Sequence, residues 1–358
     1  MQTGIIGLPQ VGKTTLFRIL TKANLDEKSA RAATHVGVAK VPEPRIGQLA
    51  VLYQPRKVTY ATVDYVDVGG MAEGRARDSA VLAPLREVDA LIHVLRVFDD
   101  PAVPHSAGSI DPLRDAVTLD LELMLADLDQ VERRLERLEK DLKKKKDPLL
   151  EREQALLVRC RESISAEKPL REVEFTTEER KLLTGFKFLS QRPMLYVLNL
   201  GDSEVGELES AVARHGLEKL ATAAQCAVVP VCGRIEAELA ELDETAGAEL
   251  LAAYGLKESG LHRLIAATYR LLGLISFFTA GEPEVRAWTI HRGDTAVKAA
   301  GAIHSDIERG FIRAEVVRCE DLLAAGSLAV ARERGQVRLE GKEYIVQEGD
   351  VILFRHSG

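Results

Sequence analysis

The chain has 358 residues, 46% apolar and 29% charged, with a formal net charge of −7. That length exceeds one ordinary core and predicts two or three domains of a soluble globular protein. The acidic balance excludes a global basic field for nucleic acid, so any RNA contact must come from a local patch. The four cysteines, Cys160, Cys226, Cys232 and Cys319, are scattered and form no C-x-x-C pair. They argue for reduced thiols in a cytoplasmic protein, against a zinc site and against a disulfide framework. The most apolar stretch, residues 271–278, is far too short to span a bilayer, which excludes a membrane helix. A strand that starts almost at Met1 leaves no room for a signal peptide.

The first elements frame a motif. Gly4-Ile5-Ile6 reads as a strand and residues 16–20 as a helix. Between them, Gly7-Leu-Pro-Gln-Val-Gly-Lys13-Thr14-Thr15 fits G-x-x-x-x-G-K-[ST], the phosphate-binding loop of nucleoside triphosphatases. Gly7 and Gly12 let the backbone curl so that N–H groups face phosphate oxygens, and the helix adds the positive end of its dipole. Lys13 reaches the β- and γ-phosphates, and the Thr14 hydroxyl is placed to ligate Mg²⁺. A triphosphate with Mg²⁺ would therefore sit on residues 10–15: Gln10, Val11, Gly12, Lys13, Thr14 and Thr15.

Residues 62–67 predict a second strand, ending in Asp67-Val68-Gly69-Gly70, a D-x-x-G pattern. There the Asp67 carboxylate supports Mg²⁺ and the Gly70 N–H meets the γ-phosphate. The next residue is Met71, where related GTPases carry a water-orienting Gln. Met has no useful donor or acceptor, so hydrolysis must position water another way or be very slow. Residues 90–97 are almost wholly apolar, as a buried parallel strand should be.

From about residue 113 to 183 the texture changes. Leu121, Met124, Leu128, Val131, Leu135, Leu138 and Leu142 alternate three- and four-residue steps, a heptad seam. Lys143-Lys-Lys-Lys146-Asp147-Pro148 breaks that helix, and a second follows with Leu150, Leu157 and Ile164. The prediction is an antiparallel helical hairpin with four lysines at its tip. These are either a solvated helix end or an electrostatic contact for RNA phosphates.

Strand patterns resume at residues 193–199 and 226–231. Asn199-Leu200-Gly201-Asp202 stands where GTPases carry N-K-x-D, with Leu200 in place of the Lys that packs over guanine. The last eighty or so residues predict a small α+β module. Its strands fall at residues 285–290, 343–346 and 350–354, and a short helix at 295–300.

With these motifs located, the chain resembles the Obg-like ATPases, the YchF family, of the TRAFAC P-loop class. The resemblance is carried by residues 280–290, 300–314, 340–346 and 348–351. It also rests on Val41-Pro-Glu-Pro-Arg45, Arg86-Glu-Val-Asp-Ala90, Ala126-Asp-Leu128 and Val229-Pro-Val-Cys232. It implies an α/β P-loop domain at 1–112 and 184–278, a coiled-coil insertion at 113–183 and a TGS-type, β-grasp-like domain at 279–358. It also implies a monomeric, cytoplasmic ATPase associated with ribosomes or ribosomal RNA. In that family N-x-x-E replaces N-K-x-D and ATP is preferred over GTP; here the acidic residue is Asp202. The resemblance further implies that Asn199, Leu200, Asp202 and Cys232 contact the nucleotide, and that His105, after Pro104, stands in for the missing Gln. The family's switch I and switch II patterns are altered. Thr34 is the candidate switch I metal ligand, and switch II is shortened to residues 71–77. Two functions follow: an ATPase switch, or a nucleotide-gated ribosome- or RNA-binding module with little turnover.

Overall fold

The computed structural model describes residues 1–22, 34–68 and 79–357. Gly70, Met71, the rest of the shortened switch II and residues 31–33 lie outside them. The strands are β1 (Gln2–Ile6), β2 (Thr34–Lys40), β3 (Val58–Thr59), β4 (Thr62–Val68), β5 (Ala90–Arg96), β6 (Met194–Asn199), β7 (Cys226–Val231), β8 (Leu274–Ala280), β9 (Val285–His291), β10 (Phe311–Arg318), β11 (Arg338–Glu340) and β12 (Asp350–His356). The first helices are α1 (Lys13–Thr21), α2 (Pro44–Tyr53), α3 (Ser79–Arg86), α4 (Pro112–Lys144) and α5 (Pro148–Ser165). The chain forms two compact units: Met1–Val38 with Asp64–Ala267, and Ala39–Val63 with Thr268–Gly358.

The first unit is built on a sheet of order β2-β4-β1-β5-β6-β7. From β4 to β7 every neighbouring pair is parallel. β5 is buried at all its positions, as expected of a strand covered on both faces. The register matters for function. Ile5 pairs with Asp67, Ile6 with His93, Arg96 with Asn199, and Asn199 with Val231. The carboxyl ends of five strands therefore meet along one edge, the side on which open α/β sheets bind ligands.

The α4 helix serves two cores. Its first half sends Ala116, Leu119, Leu123 and Ala126 into the sheet core beside Leu85, Leu91 and Tyr196. Farther along, Met124, Val131, Leu135 and Leu138 pack against Leu156, Leu157, Cys160 and Ile164 of α5. The heptad seam is thus real, and Arg134 clamps Glu153 across it at 2.8 Å. The hairpin turn follows the expected break. Pro148 takes the first helical position of α5, and the Asp147 side chain accepts from the Leu149 N–H.

The second unit is a sheet of order β11-β10-β12-β8-β9-β3. The β12–β8 and β3–β9 pairs are parallel, whereas β8–β9, β10–β11 and β10–β12 are antiparallel. Helix Ala296–Ile303 lays Ala296, Ala299 and Ala300 against Phe277, Ile290 and Phe354. Residues 39–63, expected inside the nucleotide domain, belong to this unit, and the unit's later segment starts at Thr268 rather than at residue 279. The physical reason is a short edge strand and a half-buried cation. β3 adds to β9, and Arg45 binds both Glu43 and Glu348 while lying 5.2 Å over the Phe278 ring. The expected strand at 343–346 is corrected to a single bridge, Ile345 to Thr295. Its backbone groups are used by a neighbouring helix start instead: the Tyr344 carbonyl accepts from Ala296 N–H, and Val346 N–H donates to the Asp294 carbonyl.

Candidate functional site

The loop between β1 and α1 has the conformation its glycines predict. Gly7, Gln10 and Gly12 have φ of 146°, 62° and 97°. A Cβ on Gly7 would fall 2.6 Å from the Val94 carbonyl oxygen, and one on Gly12 would fall 2.5 Å from Asn199 Nδ2. Only glycine fits either place. α1 starts at Lys13 with no side-chain cap and no acidic residue in its first turn. Its first N–H groups and the dipole are therefore left for an external anion.

Lys13 folds back so that Nζ donates to the Leu8 carbonyl at 2.6 Å. Burial pushes its pKa down to about 8, opposed by the Asp67 charge. A half-buried ammonium hydrogen-bonded to a neutral carbonyl gains from further negative charge, which a phosphate would supply. Thr14 Oγ1 donates to Asp67 Oδ2 at 3.0 Å. Asp67 is 2% exposed, and its Oδ1 is buried with no hydrogen-bond partner among the described residues. A hydroxyl beside a carboxylate with an orphan oxygen is an all-oxygen donor set that suits Mg²⁺ or its water shell. Among the described residues no group of three or more His, Cys, Asp or Glu could hold a metal by itself. Mg²⁺ habitually takes only one or two carboxylates and completes its shell with waters and substrate phosphates, so this sparse pair suits it. Thr34, the expected third metal residue, opens β2, and no hydrogen bond joins it to Thr14 or Asp67.

Asn199 locks the loop to the sheet edge. Its Nδ2 donates to the Val11 carbonyl at 3.0 Å, and its Oδ1 accepts from Gly233 N–H at 3.1 Å. Beside it opens a cavity of about 530 Å³, lined by Gly12, Thr15, Phe98, Pro101, Leu200 and Asp202 together with Arg234 and Ala237. Leu200 is only 2% exposed and sits in the sheet core, so it walls the cavity and has little free surface for a base. Asp202 faces outward, with 41% of its side chain exposed, and pairs with Arg234 at 2.9 Å. Cys232 lies behind it, 5% exposed, its thiol 3.5 Å from Asp202 Oδ1. Burial raises the Cys232 pKa, so it stays a thiol and a donor. Cys232 therefore positions Asp202.

His105 is held elsewhere. Its Nε2 is 3.0 Å from Asp115 Oδ2, its Nδ1 accepts from Ala107 N–H at 3.1 Å, and only 6% of its side chain is exposed. It lines a second cavity of about 450 Å³ with Arg96 and Ser109. Asp99, Asp100 and Pro101 line both cavities. The structure thus gathers Gly7, Gln10, Val11, Gly12, Lys13, Thr14, Thr15, Asp67 and Asn199 around one loop. Leu200, Asp202 and Cys232 stand at the adjoining cavity, and neither His105 nor Thr34 joins the group. Sequence reasoning missed Phe98, Gly233, Arg234 and Ala237. The signal was available: Gly233 and Arg234 open the helix Gly233–Glu241 directly after a parallel strand, where ligand-binding residues gather.

Known proteins bear on this site. The family model YchF-GTPase_C, described as a protein of unknown function (DUF933), matches residues 274–357. A second, MMR_HSR1, described as a 50S ribosome-binding GTPase, matches residues 2–152. A Bacillus subtilis protein named ribosome-binding ATPase YchF is 44% identical over 100% of this chain and 99% of its own length. The chain belongs to the YchF family. A Haemophilus influenzae member of the same name is 40% identical over 99% of this chain and 98% of its own. The solved Schizosaccharomyces pombe YchF GTPase superposes with a TM-score of 0.87 at 28% identity, covering 99% of this chain and 97% of that one. The family and the loop agree: this is a P-loop nucleoside triphosphatase fold with the family's C-terminal domain. Among the described residues no helix is long and apolar enough to cross a membrane.

Proposed function

We propose that this chain is a ribosome-associated, nucleotide-dependent switch that hydrolyses ATP, and GTP less readily, as a monomer in the cytoplasm. The observation that carries it is the loop with its unmet charges: uncapped α1 N–H groups, a half-buried Lys13 and, beside Thr14, the Asp67 Oδ1 that has no partner among the described residues. The triphosphate sits on residues 10–15, and Lys13 leaves the Leu8 carbonyl for the β- and γ-phosphates. Thr14 and Asp67 would hold Mg²⁺, which neutralises the charge developing on the phosphates when bound. Asn199 keeps the loop in register with the base cavity. Ribosome contact fits the names of the Bacillus and Haemophilus relatives and the exposed lysines at the hairpin tip.

The placement of His105 favours a second reading, a nucleotide-gated binding module with slow turnover. For His105 to orient a water, the loop at 99–110 must release it from Asp115 and Ala107. Calorimetry with ATP and Mg²⁺ tests the site: Lys13→Ala and Thr14→Ala should lose binding while keeping the wild-type circular dichroism spectrum. Normal binding by Lys13→Ala refutes the assignment. Single-turnover hydrolysis separates the two readings. A large loss in His105→Ala supports the switch, and an equally slow wild type supports the gated module.

A further inference from the structure

The Asp202 carboxylate already has partners for both oxygens. Oδ2 pairs with Arg234 at 2.9 Å, and Oδ1 faces the Cys232 thiol at 3.5 Å. Both Asp202 and Arg234 line the cavity beside the phosphate loop. Guanine presents two donors, a ring N–H and an exocyclic amine, to a carboxylate in this position. To use both it must compete with Arg234 for Oδ2. Adenine presents one exocyclic amine and a ring-nitrogen acceptor, and an acceptor suits the remaining guanidinium N–H groups. Arg234 is held by Asp202 and, at 3.9 Å, by Glu238 one turn on. It is otherwise 75% exposed, so it remains within reach of a ligand in the cavity.

We propose that Arg234 is a specificity-determining residue: by pairing with Asp202 it masks the carboxylate a guanine base needs and biases the cavity toward adenine nucleotides. The inference rests on the nucleotide-site reading above. Because the pair is exposed, its hold is weak, and the masking is a bias rather than a block.

The test is competition binding of ATP and GTP, with Mg²⁺, to wild type, Arg234→Ala, Asp202→Asn and the double variant. Arg234→Ala should raise GTP affinity relative to ATP by about two- to fivefold, the range set by breaking an exposed ion pair. The gain should vanish in the double variant, which has no carboxylate to unmask. An unchanged ratio in Arg234→Ala, or a gain that survives Asp202→Asn, overturns the inference alone. A wild type that takes up neither nucleotide, or whose binding survives Lys13→Ala, overturns the site reading and the inference with it. The exposed position of Arg234 leaves folding intact, and circular dichroism of each variant checks this.

Discussion

Gly12→Ala probes the loop most sharply. The residue has φ of 97°, and a left-handed conformation costs a non-glycine residue roughly 1–2 kcal/mol. Its new Cβ would lie 2.5 Å from Asn199 Nδ2, with no other side chain or backbone atom outside its chain neighbours nearer than the same amide's carbon at 3.7 Å. Asn199 must therefore withdraw and lose its bonds to the Val11 carbonyl and Gly233 N–H. Two net hydrogen bonds are worth about 1–3 kcal/mol together. The expected cost of Gly12→Ala is then about 2–5 kcal/mol. Asn199→Ala should cost about 1–3 kcal/mol through the same two bonds. The double variant carries the backbone strain and one loss of the Asn199 bonds, so it should again cost about 2–5 kcal/mol and not the sum of the singles. Urea unfolding of the four proteins, followed by far-ultraviolet circular dichroism, measures the cycle. Costs that add to within about 0.5 kcal/mol would refute the argument, because the alanine would then not be acting through Asn199.

The other expectations are independent of that cycle. Arg45→Ala leaves Glu43 and Glu348 without their shared cation and uncovers Phe278, so the second unit should lose about 1–3 kcal/mol. Trp288, the single tryptophan, lies in the same unit and reports its unfolding by fluorescence; an unchanged midpoint would show that Arg45 does not hold residues 39–63 there. Burial pushes Cys160 up to about 12 and Cys319 up to about 11 and raises Cys226 and Cys232, so at pH 8 the thiolate is scarce throughout. A colorimetric thiol reagent should react slowly with native protein and quickly in denaturant, and rapid native labelling would contradict the packing. Lys143, Lys144, Lys145 and Lys146 are exposed at the end of the 33-residue α4, a helix of about 50 Å. Replacing all four by Ser should weaken ribosome co-sedimentation and flatten its salt dependence by up to four units of slope, about one for each phosphate no longer neutralised. ATP affinity should stay unchanged. Wild-type co-sedimentation would exclude the tip as the ribosome-binding surface.

Local signals were enough for much of this protein. The G-x-x-x-x-G-K-[ST] spacing determined the loop because only glycine adopts φ of 146° and 97° at Gly7 and Gly12 so close to Val94 and Asn199. The apolar runs determined β5 and β6, since a parallel strand buried on both faces needs an unbroken apolar sequence, and the same signal found the half-buried edge strand β7. The three- and four-residue steps determined the α4–α5 seam, because helix periodicity writes burial directly into the sequence. Tertiary structure alone decided features made by residues far apart in the chain. β3 has two residues and no pattern of its own; it exists because β9 offers an edge. Arg45 meets Glu348 across 303 positions, which moves residues 39–63 into the second unit. His105 looked free to act on a phosphate until Asp115, on the helix that follows, took its ring nitrogen. Asp202 looked like an open base reader until the folding of β7 and its helix set Arg234 against it. A charge becomes a ligand, a lock or a mask according to what folding places beside it, and pairing of that kind leaves no periodic trace in a sequence.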